Sequence, residues 1–124
     1  MLRNSWLALG WLWVAIVFYL SLMPNPPQPL WFEGVDKLEH ASAYIGLMLW
    51  FCQVVVQKQS RVYLMAAFVV MGVCIEILQG LSGYRYFEYT DMLANTTGVL
   101  IGFGLAHTRV GRILNKLERN AKNT

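Results

Sequence analysis

The chain has 124 residues, of which 56 % are apolar and only 14 % charged, whereas an ordinary globular domain is about a quarter charged. A soluble domain this small exposes much of its surface and needs more polar residues to cover it. The composition therefore excludes a soluble enzyme, a disordered chain and a nucleic-acid binder, and the uneven placement of the net +3 charge becomes the first clue.

A membrane-spanning helix needs about 20 mostly apolar residues, at ~1.5 Å rise per residue across a ~30 Å core. Four stretches meet or approach that requirement, over about 5–22, 41–56, 62–81 and 91–108. The first holds no charge. Arg3 ahead of it resembles the basic start of a signal peptide, but no small-x-small cleavage site follows, so a retained helix is expected. The run Pro24-Asn25-Pro26-Pro27-Gln28-Pro29 then cannot continue a helix. The second span follows His40, and Lys58-Gln59-Ser60-Arg61 reads as a tight polar turn after it. The third span contains one charge, Glu76, and ends in a loop over 80–89 that holds two glycines. The fourth is the shortest, apolar only over 92–106, and reaches 18 residues if Asp91, His107 and Thr108 sit at interfaces.

Eight of the ten Lys and Arg lie in the N-terminus, the second loop and the tail: Arg3, Lys58, Arg61, Arg109, Arg112, Lys116, Arg119 and Lys122. Only Lys37 and Arg85 fall in the first and third loops. The positive-inside rule then places both termini in the cytoplasm. The expected fold is all-α, a polytopic bundle of four transmembrane helices over 1–108 with a basic cytoplasmic tail over 109–124. The membrane is expected to be the cytoplasmic one. Trp6, Trp31, Tyr63, Tyr84, Tyr86 and Tyr89 fall near predicted interfaces, where aromatic rings anchor. Helical spacing lays the basic tail on anionic lipid, although simple positive-inside anchoring explains the same cations.

Cys52 and Cys74 lie roughly 8 and 18 Å from the cytoplasmic ends of their spans, too different in depth for a disulfide. They read as small packing residues. No metal-ligand spacing, phosphate-binding loop or G-x-S-x-G occurs, so neither metal nor cofactor is expected.

Polar groups inside the spans are the informative residues. A charge in a span costs ~2.5–3.5 kcal/mol on insertion scales and is a functional candidate by default. Glu76 lies about 6 Å below the outer end of its helix, with Gln79 at i+3 on the same face. In the fourth span Asp91, Asn95, Gly98 and Gly102 fall within about 60° of one another around the helix. Gly98 and Gly102 allow another helix to approach closely. Asp36, His40 and Tyr44 share one face of the second helix at i, i+4 and i+8. Three helices thus carry polar groups at similar depth on the outer side, while the cytoplasmic halves carry almost none. Arg85 and Lys37 are the nearby cations, and Arg85 can pair with Glu76, Glu88 or Asp91. Buried hydrogen bonds that merely lock the bundle would account for the same pattern.

These residues resemble the VanZ-like family of small bacterial membrane proteins. Its first motif matches Asp36, Lys37, His40 and Tyr44. Its second matches Glu76, Gln79, Arg85, Asp91, Asn95, Gly98 and Gly102, with no departure at a motif position. The resemblance implies a multi-pass membrane protein, and through the family's founding member a link to resistance against teicoplanin, a lipoglycopeptide acting on the cell wall.

Three functions follow as expectations. The first is recognition or processing of an amphipathic envelope molecule, a lipid-linked precursor or a lipoglycopeptide-type ligand. Lys37 and Arg85 would hold a phosphate or carboxylate, and Glu76 and His40 would act as an acid/base pair. Asp36, Tyr44, Gln79, Asp91 and Asn95 would orient the ligand. The second is a non-catalytic scaffold that binds a protein partner or a second copy of the chain. The third is a small oligomeric transporter, disfavoured because Glu76 lies off-centre. Membrane lipids are partners in all three.

Overall fold

A computed structural model describes residues 2–23, 35–83 and 89–122, without the side chains of 35 and 36. The described residues form α1 (Leu2–Leu22), α2 (Val35–Cys52), α3 (Lys58–Leu81), α4 (Tyr89–Ala106), a 3₁₀ turn over Arg109–Arg112, and α5 (Ile113–Lys122), with no strand among them. The protein is all-helical. α1 and α3 are long and apolar enough to cross a membrane, with mean hydropathies of 1.8 and 2.1 over their most apolar windows. α2 and α4 have 18 residues each and carry Asp36, Lys37, Glu39 and His40, or Asp91 and Asn95, in their first two turns.

The boundaries shift from the sequence expectation where side chains take over backbone groups. The second helix stops at Cys52 rather than 56, and Gln53 to Gln57 form the turn. Lys58-Gln59-Ser60-Arg61 is therefore the first turn of α3 and not a loop. At the other end α3 closes with Ser82, whose hydroxyl donates to the Gln79 carbonyl at 2.6 Å. Gly83 follows with φ +83°, a left-handed turn that a side chain would strain.

α2 and α4 run parallel and make the closest pairing. A Cβ on Gly98 would overlap the Ala41 carbonyl oxygen, and one on Gly102 would lie 2.8 Å from the Ile45 carbonyl oxygen and from Met48 Cβ. Bare backbone at both positions lets the axes approach and gives close dispersion contact. The core gathers there: Tyr44, Leu47, Met48, Phe51, Cys52, Phe68, Val99 and Ala106. α3 faces it with Phe68, Gly72, Ile75, Glu76 and Gln79, a stripe at helical spacing.

α1 packs through its tryptophans. Trp6 stacks on Trp50 with ring centroids 3.7 Å apart and planes 9° from parallel. Each indole N–H donates to the other's backbone carbonyl, at 2.9 and 2.8 Å. Trp6 is therefore a helix-pairing residue as well as one near a predicted interface. Leu7, Trp13, Val14 and Val17 also pack against the core, while Leu9, Trp11, Leu12, Ile16 and Tyr19 are exposed. Both cysteines are free, as the depth difference required. Cys52 is in the core, but Cys74 is exposed on the outside of α3 and is not a packing residue.

Candidate functional site

Two polar clusters close the two ends of the bundle. At the end where α2 and α4 begin, six side chains converge from three helices. Lys37 of α2 lies 2.6 Å from Asp91 Oδ1 in the first turn of α4, a charge contact at the rim. Asp91 at a helix start also gains from the helix dipole. Below the rim, Tyr44, Glu76, Gln79 and Asn95 are each at most 2 % exposed.

Gly72 permits the deepest contact. A Cβ there would lie 3.2 Å from Asn95 Cβ and Nδ2 and 3.5 Å from Tyr44 Oη. The tyrosine hydroxyl and the asparagine amide thus both approach the same bare backbone, about 13 Å into the bundle from the start of α2. Tyr44 Oη and Asn95 Oδ1 are buried with no hydrogen-bond partner among the described residues. Native proteins satisfy nearly all such atoms, and an orphan costs ~1–3 kcal/mol. A phenol that donates beside an amide oxygen that accepts can hold one hydroxyl group, which accepts from the first and donates to the second.

The other predicted site residues separate into roles. Gln79 Nε2 donates to the Ser21 carbonyl at 2.6 Å, which ties the end of α1 to α3 and employs one of its amide hydrogens. His40 is half-buried on α2, one turn before Tyr44. Gly98 and Gly102 lie in the α2–α4 contact. The Asp36 side chain and Arg85 lie outside the described residues. Asp91, one of the carboxylates expected opposite Arg85, lies against Lys37.

The opposite end buries two polar side chains, Gln53 and Arg61, where almost none was expected. Arg61 is 6 % exposed and donates to three backbone carbonyls: Val55 at 2.7 Å, Cys52 at 2.8 Å and Ala106 at 3.1 Å. It caps the C-termini of α2 and α4, where unpaired carbonyls and the negative ends of two helix dipoles favour a cation. Gln53, 2 % exposed, donates to the Leu49 and Val110 carbonyls at 3.2 and 2.8 Å and accepts from the Leu114 N–H at 3.2 Å. Arg61 looked like one more loop cation. Gln53 did leave a signal, as the one polar residue in an otherwise apolar run over 45–56.

The family model VanZ/LLP1 matches residues 6–111, most of the chain. The protein belongs to the VanZ-like family. The match runs through both polar clusters of this VanZ-like bundle. Neither the curated proteins nor the solved structures contain a match to it.

Proposed function

We propose that this VanZ-like protein spans the membrane four times, with both termini in the cytoplasm, and that its Asp91 end binds the polar head of an amphipathic cell-envelope molecule from the outer face. The side carrying Lys58, Arg61 and the tail cations is then the cytoplasmic side. The packing of α1 on α2 and α3 supports its place as a resident helix, and the close α2–α4 pairing supports two shorter spans beside it.

The observation that carries the proposal is the buried pair Tyr44 Oη and Asn95 Oδ1, each without a partner among the described residues. A purely structural network would have satisfied them. Lys37 at the rim would meet the ligand's phosphate or carboxylate, with Glu76 and His40 as the candidate acid and base. A lipid-linked sugar precursor and a lipoglycopeptide both combine such a head with an acyl or prenyl tail that stays in the bilayer. A link to teicoplanin resistance would follow from the second ligand.

The test is thermal unfolding of the detergent-solubilised chain with and without teicoplanin or a prenyl-diphosphate-linked sugar. Either ligand should raise the wild-type transition. Tyr44→Phe and Gly72→Ala should abolish the rise, the first by removing the donor and the second by filling the cradle. A ligand effect that survives both variants, or no effect in the wild type, refutes the site. Cleavage of the head group dependent on Glu76 would add a reaction to the binding.

A further inference from the structure

At the Arg61 end lies a second, differently built feature. A groove of about 380 Å³ runs along the 3₁₀ turn and the start of α5, lined by Arg109, Val110, Arg112, Ile113, Lys116 and Arg119. Four of the six lining residues are cations, and none of the four makes an ion pair among the described residues. The one carboxylate of α5, Glu118, is occupied elsewhere: Arg3 Nη2 donates to it at 3.0 Å. The groove is thus an uncompensated positive site with two apolar side chains in its wall.

α5 is held in place rather than trailing as a tail. Leu114 is fully buried, Gln53 binds the backbone at Val110 and Leu114, and Gly111 sits so close to Ala106 that a Cβ would overlap its carbonyl oxygen. Around the helix, Ile113 and Leu117 form an apolar edge. Both are 44 % exposed, and Val110 before them is 40 % exposed. Arg112, Lys116 and Arg119 follow on the adjacent face. A helix with one exposed apolar edge and a flanking cationic face lies in the plane of a membrane interface, apolar edge in the acyl boundary and cations among the head groups.

We infer that this groove binds the phosphate head of an anionic glycerophospholipid at the inner surface of the membrane. A phosphodiester takes a forked contact from a guanidinium, and three arginines line the groove. The apolar residues beside them fit the glycerol and first acyl carbons, which favours a lipid over a soluble anion. The inference rests on the membrane reading above but not on the Asp91-end site, from which the groove is separated by the length of the bundle.

The test uses the full chain in a zwitterionic detergent, titrated with phosphatidylglycerol, phosphatidylcholine or inorganic phosphate, with unfolding temperature and lipid retained in native mass spectra as readouts. Phosphatidylglycerol should bind and raise the transition, and the other two should not. The double variant Arg112→Gln/Lys116→Gln removes two exposed charges and should weaken phosphatidylglycerol binding about 30-fold. Lys116→Arg keeps the charge and should bind as wild type, which separates loss of the site from loss of the fold. Equal binding of phosphatidylcholine, an equal effect of inorganic phosphate, or a double variant that binds as wild type overturns the inference. Failure here leaves the ligand shift at Tyr44 and Asn95 untouched, so the two proposals fail separately.

Discussion

The two ends of this bundle solve opposite problems with similar residues. At the Arg61 end, the buried guanidinium and the buried Gln53 amide direct their groups to backbone atoms that helix termini leave open. At the Asp91 end, an equally buried phenol and amide leave atoms unused while a glycine keeps space bare between them. Burial alone does not separate structure from function. The separation comes from where the hydrogen bonds go.

The largest effect should come from Arg61→Ala. It strips one donor from each of three carbonyls at the ends of α2 and α4. A loss of about 3–5 kcal/mol is expected for removing one partner of a buried charged network, seen as failed accumulation or a much lower unfolding temperature in detergent. Arg61→Lys should recover only part, because one ammonium cannot reproduce the planar fork. A near wild-type Arg61→Ala would erase the contrast between the ends.

Gly98→Ala should follow, at about 1–3 kcal/mol, because its methyl meets the Ala41 carbonyl and α2 and α4 must separate. Detergent melting would show it, and Gly104→Ala, where a Cβ meets nothing within 4 Å, is the matched control with little effect.

Tyr44→Phe sharpens the comparison in the other direction. It deletes a hydroxyl that has no partner among the described residues, so stability should stay the same or rise by up to about 1 kcal/mol, while ligand-induced stabilisation disappears. A clear loss of stability without ligand would assign Tyr44 to the scaffold. Asp91→Asn should behave differently from Tyr44→Phe, since it also removes the contact with Lys37, and a modest loss is expected of it.

The smallest effect concerns the Arg3–Glu118 contact. The hydrogen bond from Arg3, and then its charge, hold the Glu118 carboxyl below the ordinary glutamate range. With the folded value depressed, the contact is fully present above the unfolded pKa of ~4.3 and is lost as pH falls through the lower folded value. Both groups are solvent-exposed, so docking of α5 rather than global stability should respond. Spin labels on α1 and α5 should move apart only in acid, and Arg3→Gln should remove that step.

How much of this was legible in the sequence can be judged residue by residue. Glu76 and Asn95 announced themselves as polar groups in apolar runs, because hydrocarbon offers them no partner. Gly98 and Gly102 announced a close approach by their spacing, though not which helix would approach. The pairing role of Trp6 was hidden, because a tryptophan near a span end looks the same whether or not it also stacks on a neighbour. The role of Arg61 was hidden for a related reason. A cation next to a loop satisfies the positive-inside pattern, and nothing local says that its guanidinium turns inward.

The sequence by itself determined the helical class, the apolar segments, the distribution of charge and the stripe of polar residues along each helix. These follow from composition and period, which are properties of single segments. Tertiary structure decided the rest: that α2 ends early so that Arg61 can gather its carbonyls, that Gln79 serves α1, that Lys37 meets Asp91, and that Tyr44 and Asn95 converge over Gly72 with atoms to spare. Each of those outcomes depends on a partner from another helix. A hydrogen bond made or missed between segments far apart in the chain has no signature in either segment alone.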